Sequence, residues 1–283
     1  MPSTINTNMQ SLSAQRALAS TNGSLSTSMQ RLSTGLRVNS AKDDAAGLAI
    51  AERMTSQVRG MSVASRNAND AISMAQTAEG ALGKVGESLQ RMRELAVQSR
   101  NGSNSDTDRA NLDKEFQSLA EELTRVVDSS KFNGQSLLNS TNATDVEFQI
   151  GADTGSTDSL SIEFKTKVAS VIATAIGSLT DTATSAITTA DTAKTAIETL
   201  DAAINAVTES RSYLGAQQSR FENVVANLSV TSENVSAARG RIVDADFAVE
   251  SSNLSRSQVL QQAGNAMLAQ ANQMPQQVMS LLR

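Results

Sequence analysis

The sequence predicts a mainly α-helical protein, an elongated antiparallel helical bundle or coiled coil with a small β-hairpin region in the middle of the chain. Heptad spacing of apolar residues at both ends is the first observation that favours it. The second is that only two prolines interrupt 283 residues. The third is the small supply of core-forming aromatic residues, with six Phe, one Tyr and no Trp. Long helices with narrow apolar seams suit this composition better than a sheet-rich fold.

The first 36 residues predict a helix with an apolar seam. The apolar positions recur about every third or fourth residue, and Gln, Ser, Thr and Asn fill most of the rest: Ile5, Met9, Leu12, Leu18, Leu25, Met29, Leu32 and Leu36. We expect Ile5, Leu12, Leu18, Leu25 and Leu32 to contribute to subunit assembly. A seam of this kind packs against another helix.

The C-terminal segment carries a more regular seam, with alternating spacings of four and three residues. Its positions are Leu260, Gly264, Met267, Ala271, Met274, Val278 and Leu281. All of these except Gly264 are expected to be assembly residues. Because isolated helices are only marginally stable in water, we expect both ends of the chain to be loose in the monomer. They are expected to become ordered when several copies bury each other's seams.

Two further helices are predicted in the N-terminal half. One of about fifty residues runs from Met54 past Leu95, with a seam broken only by Glu79, and ends in a polar loop over 101–105. Asp106 or Asp108 is expected to cap the next helix. Its seam consists of Leu112, Phe116, Leu119, Leu123 and Val126. Asn133-Gly134 then predicts a turn.

The pattern changes to alternation between Asp145 and Phe164. Apolar residues alternate with polar ones over 146–150 and 160–164, around a turn over 151–158, which predicts a β-hairpin. Residues 166–186 are rich in Ala, Thr and Ser and show little pattern. The helical period returns at Ile187 and continues to Ile242, through Ala190, Lys194, Ile197, Leu200 and Ile204. The two long interior seams are expected to pair antiparallel.

Composition argues against enzymatic chemistry, and no catalytic residue, metal ligand or cofactor site is predicted. The absence of His and Cys excludes Ser-His-Asp triads, Cys nucleophiles and two-histidine metal sites. The carboxylate pairs Asp43-Asp44 and Asp244/Asp246 have spacings that do not make side chains face each other on a helix. The loop over 151–158 lacks the spacing of a calcium-binding EF-hand, and a plain turn is the better interpretation.

Charge and hydropathy limit the partners. The net charge of −5, with acidic and basic residues interspersed, argues against nucleic acid as the natural partner. No window approaches the roughly 20 apolar residues of a membrane span, and no charged-then-apolar leader is present at the N-terminus. Neither a nucleic acid nor a membrane is therefore expected as a partner.

Several long runs of residues resemble bacterial flagellin. The N-terminal half contains RLSTGLRVNSAKDDAAGLAI from Arg31 and LQRMRELAVQS from Leu89. The C-terminal half contains RIVDADF from Arg241, QQAG from Gln261, LAQANQ from Leu268 and the closing SLLR. The resemblance covers about residues 1–140 and 195–283. It leaves only a short middle segment, where many relatives carry variable outer domains, so a thin and little-decorated filament is expected.

The resemblance implies a structural subunit that polymerises into the extracellular flagellar filament for swimming motility. By similarity, 1–43 and 244–283 would form an inner terminal coiled-coil domain, and 44–140 with 195–243 a helical rod domain. The hairpin and variable central segment would occupy 141–194. The family further implies type III export of the unfolded chain, an export chaperone on the C-terminal helix, and hook-associated junction and cap proteins as partners.

The resemblance also implies recognition of the monomer by Toll-like receptor 5. Arg91, Leu95 and Glu115 match the positions by which flagellins of this type engage that receptor. A simpler structural interpretation exists for two of them. Leu95 continues the helix seam, and Arg91 is placed to pair with Glu87 one turn earlier.

Three other functions compete with a filament subunit. A hook–filament junction protein would share the terminal coiled-coil pattern and export, but the long matching runs at both ends argue against it. A chemoreceptor-type coiled-coil signalling module would ordinarily carry a membrane span, and none is predicted. An enzyme is the least favoured, because no catalytic site is found.

Overall fold

A computed structural model describes the backbone of residues 8–180 and 186–281, and the side chains of 8–177 and 186–273. The chain is mainly helical, as predicted. Its helices are α1 (Met9–Thr34), α2 (Ala45–Ser99), α3 (Asp106–Ser129), α4 (Ser170–Thr180), α5 (Ala190–Val243) and α6 (Phe247–Leu281). Its strands are β1 (Lys131–Phe132), β2 (Gln135–Ser136), β3 (Val146–Gln149) and β4 (Ser159–Ile162), and a π-helix, Phe164–Ala169, leads into α4.

The fold divides into two compact units. We call Met1–Ser56 with Glu233–Arg283 the terminal unit, and Gln57–Ser232 the central unit. Helices α2 and α5 contribute residues to both units.

Helix ends in the terminal unit are capped by short polar side chains and one glycine. The side chain of Asn8 accepts the backbone N–H of Ser11 at 3.0 Å at the start of α1. Gly35 ends α1 in the left-handed region, with φ of 73°, and its N–H donates to the carbonyl of Arg31. Carboxylates of Asp44 and Asp246 accept backbone N–H groups in the first turns of α2 and α6.

The cap of α3 differs from the predicted one. The N-cap residue is Ser105, whose hydroxyl accepts the N–H of Asp108, while the Asp108 carboxylate accepts the N–H of Ser105 in return. This reciprocal capping box satisfies two backbone donors that neither predicted carboxylate would satisfy as an N-cap alone. Asp108 is therefore the third residue of the helix and not its N-cap.

The core of the central unit is built on two heptad stripes. On α2 the stripe consists of the buried residues Ala68, Ala71, Ala75, Ala78, Leu82, Val85, Leu89, Met92, Ala96 and Ser99. On α5 they are Ala193, Ala196, Leu200, Ala203, Val207, Ser210, Leu214, Gln217 and Phe221. Helix α3 adds Phe116 and Leu123 to this core. Glu79 lies beside the α2 stripe and not in it, where it accepts a hydrogen bond from Gln218 at 3.0 Å.

The start of α5 corrects the predicted seam by one residue. The sequence pattern predicts Lys194 as a seam residue, but Lys194 is exposed, and the buried neighbours are Ala193 and Ala196. Alanine is buried there, whereas the long Lys194 side chain keeps its ammonium group in water.

Two antiparallel hairpins extend from the central unit's helices. The predicted β-hairpin is confirmed as β3 and β4, which pair Val146 with Ile162 and Phe148 with Leu160. The ring of Phe148 packs edge-on against Phe221 of α5, with centroids 5.7 Å apart, and attaches the hairpin to the core. The predicted Asn133-Gly134 turn is also present, and it joins a second hairpin, β1–β2, that was not predicted.

Helix α4 and the π-helix before it were not predicted either. Their buried positions include Phe164, Val168, Ile172 and Ile176, at a spacing of four residues. The carboxylate of Asp145 caps the π-helix by accepting the N–H of Lys165 at 2.9 Å and the hydroxyl of Thr166 at 2.8 Å. This part of the segment called poorly patterned is therefore helical and contributes to the core.

Candidate assembly surface

Helices α1 and α6 of the terminal unit pack antiparallel along most of their described length. The buried and half-buried stripe on α1 consists of Ser11, Ala14, Leu18, Thr21, Leu25, Ser28 and Leu32. The matching stripe on α6 consists of Glu250, Leu254, Ser257, Gln261, Gly264, Leu268 and Ala271. Both follow the heptad spacing of a coiled coil. Nine of these fourteen positions are small or polar, so the contact buries few large apolar side chains.

Polar bonds between the two helices define their register. Asn8 donates its side-chain amide to the carbonyl of Ala271 at 2.7 Å, and the Ser11 hydroxyl donates to Asn272 Oδ1 at 2.8 Å. About three turns further along α1, the Gln261 amide donates to Asn22 Oδ1 at 2.8 Å. A slip of one residue would leave these amides without partners, which disfavours alternative pairings.

One ion pair lies within the contact. Arg31 Nη1 is 3.7 Å from Glu250 Oε2, and the Glu250 side chain is only 9% exposed. A nearly buried carboxylate needs its cation, because removing one partner leaves an uncompensated charge in a poorly solvated place. The pair therefore contributes more to register than to net stability.

A short β-bridge joins the connections at the end of the helix pair. Arg37 N–H donates to the carbonyl of Val243 at 2.7 Å, and Ala245 N–H donates to the carbonyl of Gly35 at 2.9 Å. The Arg37 guanidinium adds a bond to the carbonyl of Ile242 at 2.7 Å. The bridge positions the start of α6 beside the end of α1.

The predicted assembly residues on α1 fall on two faces. Leu18, Leu25 and Leu32 lie half-buried on the stripe that contacts α6. Leu12 lies on another face with 42% of its surface exposed. Ile5 lies outside the described residues.

The predicted assembly residues on α6 are displaced from the α1 contact. Leu260 and Met267 are 52% and 63% exposed, whereas Ala271 is buried. The stripe facing α1 uses Gln261 and Leu268, one residue later, and shares the small positions Gly264 and Ala271 with the predicted seam. The side chains of Met274, Val278 and Leu281 lie outside the described residues.

Leu260 and Met267 line an open groove between α1 and α6. This groove, which we call the apolar groove, encloses about 650 Å³. Its walls are Gln10, Ser13, Ala14, Ala17, Leu18 and Thr21 of α1, and Leu260, Ala263, Gly264, Met267, Gln270 and Ala271 of α6. An apolar trough edged by large side chains has the shape and chemistry to receive the side chains of another helix.

A second groove follows the same helix pair toward the bridge. It encloses about 760 Å³ and is lined mainly by Ser, Thr and charged residues, including Arg31, Glu250 and Arg256. Its polar lining suits a hydrated contact better than a dry one. Sequence reasoning missed it, because none of its residues except Leu260 is a predicted seam position.

The three predicted receptor residues lie together in the central unit. Arg91 donates through Nη2 and Nε to Glu115 Oε1 at 2.8 and 3.1 Å, and through Nη1 to Glu94 at 2.9 Å. Hydrogen bonds to Glu115 and then to Glu94 raise the pKa of Arg91 above its ordinary value. Glu87 pairs with Lys84 instead. Leu95 is 1% exposed and belongs to the core.

The carboxylates considered for catalysis have structural uses. Asp43 accepts the Ser40 hydroxyl and the backbone N–H groups of Asn39 and Ser40, and these bonds lower the pKa of Asp43. Among the residues with described side chains, no group of His, Cys, Asp and Glu is arranged to hold a metal ion. None of the described helices is long and apolar enough to cross a membrane.

Comparison with solved structures gives the same fold. A crystal structure of Bacillus cereus flagellin aligns with a TM-score of 0.51 and 31% identity, over 62% of this chain and 94% of that one. A Vibrio parahaemolyticus structure described as a flagellar hook-associated protein aligns with a TM-score of 0.57 over 71% of this chain and all of that one. At 14% identity, the second likeness concerns the fold alone.

Comparison of sequences is more specific. The bacterial flagellin N-terminal helical region matches residues 5–143, and the bacterial flagellin C-terminal helical region matches residues 197–282. A flagellin from Halalkalibacterium halodurans is 48% identical over 280 residues, covering 99% of each chain. This chain therefore belongs to the bacterial flagellin family, whose members are structural subunits of the extracellular flagellar filament and not enzymes.

Proposed function

We propose that copies of this chain polymerise through the terminal unit, with the apolar groove of one copy receiving a helix of the next. The exposure of Leu260 and Met267 beside this groove carries the proposal. Both are large apolar side chains left exposed on α6, and both match the heptad spacing of a helix contact that α1 does not provide. The filament formed in this way would transmit motor rotation and drive swimming.

Seeded growth tests this polymerisation. Purified chain is added to short filament seeds, and tube length is measured by negative-stain electron microscopy. Long tubes are expected. A chain that only caps the seeds would contradict the proposal and favour a hook–filament junction protein.

A double variant and a control variant then test whether the groove forms the contact between copies. Leu260→Gln with Met267→Gln should strongly reduce elongation, because polar side chains would be buried between copies. The matched control is Val97→Gln, which alters a side chain that is 49% exposed on α2, in the central unit. Equal elongation by the Leu260→Gln, Met267→Gln double variant and by the control would show that the groove is not part of the assembly surface.

We further propose the domain division 1–43 with 244–283, 44–140 with 195–243, and 141–194. The first would line the filament's inner tube, and the second would surround it. The two family matches support this division, because they leave the middle of the chain unmatched. The terminal unit itself extends further along α2 and α5, to Ser56 and from Glu233.

The exposed face of α6 also supports the proposed export partner. Before assembly, Leu260 and Met267 would need cover, and a chaperone bound to α6 would provide it during export. The junction and cap proteins at the filament ends would meet the same terminal helices. Titration calorimetry with the organism's own export chaperone tests the first step, and unchanged affinity in the Leu260→Gln, Met267→Gln chain would contradict it.

Recognition of the monomer by Toll-like receptor 5 is proposed through Arg91 and Glu115, whose side chains are 51% and 48% exposed. The buried Leu95 would then act by supporting this surface from below. Arg91→Ala should reduce receptor signalling, whereas Arg125→Ala, which breaks a comparable exposed pair with Glu122, should not. Loss of signalling in both variants, or in neither, would contradict the proposal.

Leu95 needs its own control. Leu95→Ala would leave a cavity in the core and destabilise the central unit by about 2–5 kcal/mol, so lost signalling could reflect unfolding. Leu95→Met keeps the volume and should preserve both the fold and the signal.

A further inference from the structure

Met267 combines two properties that no other methionine with a described side chain shares. It is 63% exposed, and it lines the apolar groove together with Leu18 and Leu260. The chain contains no Cys, so methionine thioethers are its only side-chain sulfur. An exposed thioether is open to two-electron oxidants.

We propose that Met267 is a peroxide-sensitive modification site, and that its oxidation removes the chain from the pool that can assemble. The inference rests on the proposed function, in which the apolar groove receives a second copy of the chain. The co-reactant is a hydroperoxide, with hydrogen peroxide as the simplest member of the class.

The chemical step is a two-electron oxygen transfer. A lone pair on the Met267 sulfur attacks one oxygen of hydrogen peroxide and the O–O bond breaks. The hydroxide that leaves takes the proton from the transferred oxygen. The products are methionine sulfoxide and water, so the sulfur is oxidised and the peroxide reduced. Two methionine sulfoxide reductases, one for each sulfoxide epimer, reverse the change with two electrons from a dithiol and release water.

The position of Met267 gives this change its effect. Its lining neighbours one turn away on α6 are Ala263, Gly264 and Ala271, which have no side-chain donor, and Gln270. A sulfoxide oxygen is a strong acceptor that would lose water when a second copy covers the groove. The loss of this hydration opposes association.

Other methionines in the chain serve as internal controls. Met9 and Met29 on α1 are 61% and 58% exposed, and neither lines the apolar groove. Peroxide should therefore oxidise them as readily as Met267, without the same effect on assembly. Met61 and Met92 are buried, at 6% and 0% exposure, and should resist the reagent.

A sorting experiment tests the site without any substitution. Chain oxidised to about half at its exposed methionines, the extent at which a sorting difference is most visible, is allowed to extend filament seeds. Incorporated and free chains are then separated and mapped by peptide mass spectrometry. Met267 sulfoxide should be depleted at least about fivefold in the filament relative to the free pool. Met29 sulfoxide should be divided evenly. Even division of Met267 sulfoxide, or equal depletion of both, would overturn the proposal.

Substitution gives a second test. Every chain in this comparison carries Met274→Leu, because Met274 is also an expected assembly residue. After full oxidation, Met267→Leu chain should still extend seeds, whereas chain with the native Met267 and its Met29→Leu variant should not until the sulfoxides have been reduced. Leucine keeps a similar volume without the sulfur. Continued sensitivity of Met267→Leu would overturn the proposal, and if that variant fails to assemble before treatment, the sorting result decides. If untreated wild-type chain does not extend seeds, the proposed function itself is contradicted. That result differs from those that contradict only the role of Met267, so the two proposals can fail separately.

Discussion

At the scale of single residues, Gly60 shows how one missing side chain positions the β3–β4 hairpin. A Cβ atom at Gly60 would lie 2.8 Å from Cβ and 3.2 Å from Cα of Ala152, in the loop between the two strands. Next to this contact, Asn67 donates to the carbonyl of Gln149 at 2.9 Å. The close approach depends on glycine, because the obstacle is backbone and cannot rotate away.

Gly60→Ala is expected to destabilise the central unit by about 1–3 kcal/mol, because the hairpin must move away from α2. Gly83→Ala on the same helix meets nothing within 4 Å and should instead stabilise it by about 0.5–1 kcal/mol. Urea unfolding followed by the fluorescence of Tyr213, the chain's only tyrosine, measures both. Stabilisation of equal size in the two variants would show that the loop does not contact Gly60.

The capping box of α3 makes stability depend on pH. Hydrogen bonds from the hydroxyl and N–H of Ser105 lower the pKa of Asp108 below its ordinary value of 3.8. A carboxyl whose pKa is lower in the folded state stabilises the fold fully above the unfolded value. This contribution is lost as pH falls from about 3.8 through the folded pKa.

Asp108→Asn should therefore be less stable than wild type at pH 7, with a difference that shrinks once pH falls below 3.8. Asparagine retains an acceptor oxygen but resembles the protonated acid. Ser105→Ala, which removes the hydroxyl donor, should reduce the same pH-dependent difference. Urea unfolding at a series of pH values measures it, and a difference that does not change with pH would contradict the carboxylate's part in the cap.

At the scale of elements, sequence periodicity predicted the long helices and the β3–β4 hairpin, but it did not always select the face that packs within the chain. On α6 the spacing of large residues selects Leu260 and Met267, while α1 packs on Gln261 and Leu268. On α5 the same preference for large residues selects Lys194 in place of Ala193. Close helix approach favours small residues, and a search for large apolar residues overlooks them.

Other elements could not be predicted for a different reason. The π-helix depends on a cap from Asp145, twenty residues earlier in the chain, and such a long-range contact leaves no local pattern. Helix α4 did leave a signal, in the four-residue spacing of Val168, Ile172 and Ile176. Its many Thr and Ala residues obscured that signal, because they lower the contrast between buried and exposed positions. The register bonds of Asn8 and Gln261 likewise depend on pairing that no single helix specifies.

The two faces of α6 should respond differently to truncation. Leu268→Ala should speed amide exchange in α1 of the monomer on the order of tenfold, because it removes part of the α1 contact. Met267→Ala should leave monomer exchange nearly unchanged and raise the concentration needed for seeded growth. Hydrogen-exchange mass spectrometry measures the first effect, and the seeded-growth assay measures the second. Equal amide exchange in the two monomeric variants would contradict the packing of α1 on the Leu268 face alone.

At the scale of the whole molecule, large buried side chains are distributed unevenly between the two units. The largest fully buried ones in the described chain, including Phe116, Phe164 and Phe221, all lie in the central unit. Full burial of each contributes about 1.5–3 kcal/mol. The described terminal unit buries smaller or polar residues such as Ser11, Ser257 and Ala271. Its helices therefore have less apolar burial to offset the entropy of ordering their backbone.

Limited trypsin digestion of dilute monomer is accordingly expected to cut first in the terminal unit and to leave the central unit intact. Arg16 and Arg256 are exposed sites on the terminal helices, and Arg93 and Arg125 are exposed helical sites in the central unit. Cleavage at all four sites requires local opening, so the order of cleavage reports local stability and not exposure. Assembly should then protect Arg16 and Arg256, because neighbouring copies would cover the terminal helices. Equal cleavage rates at the four sites in the monomer would mean that the terminal helices are already stable, and polymerisation could then not be the step that orders them.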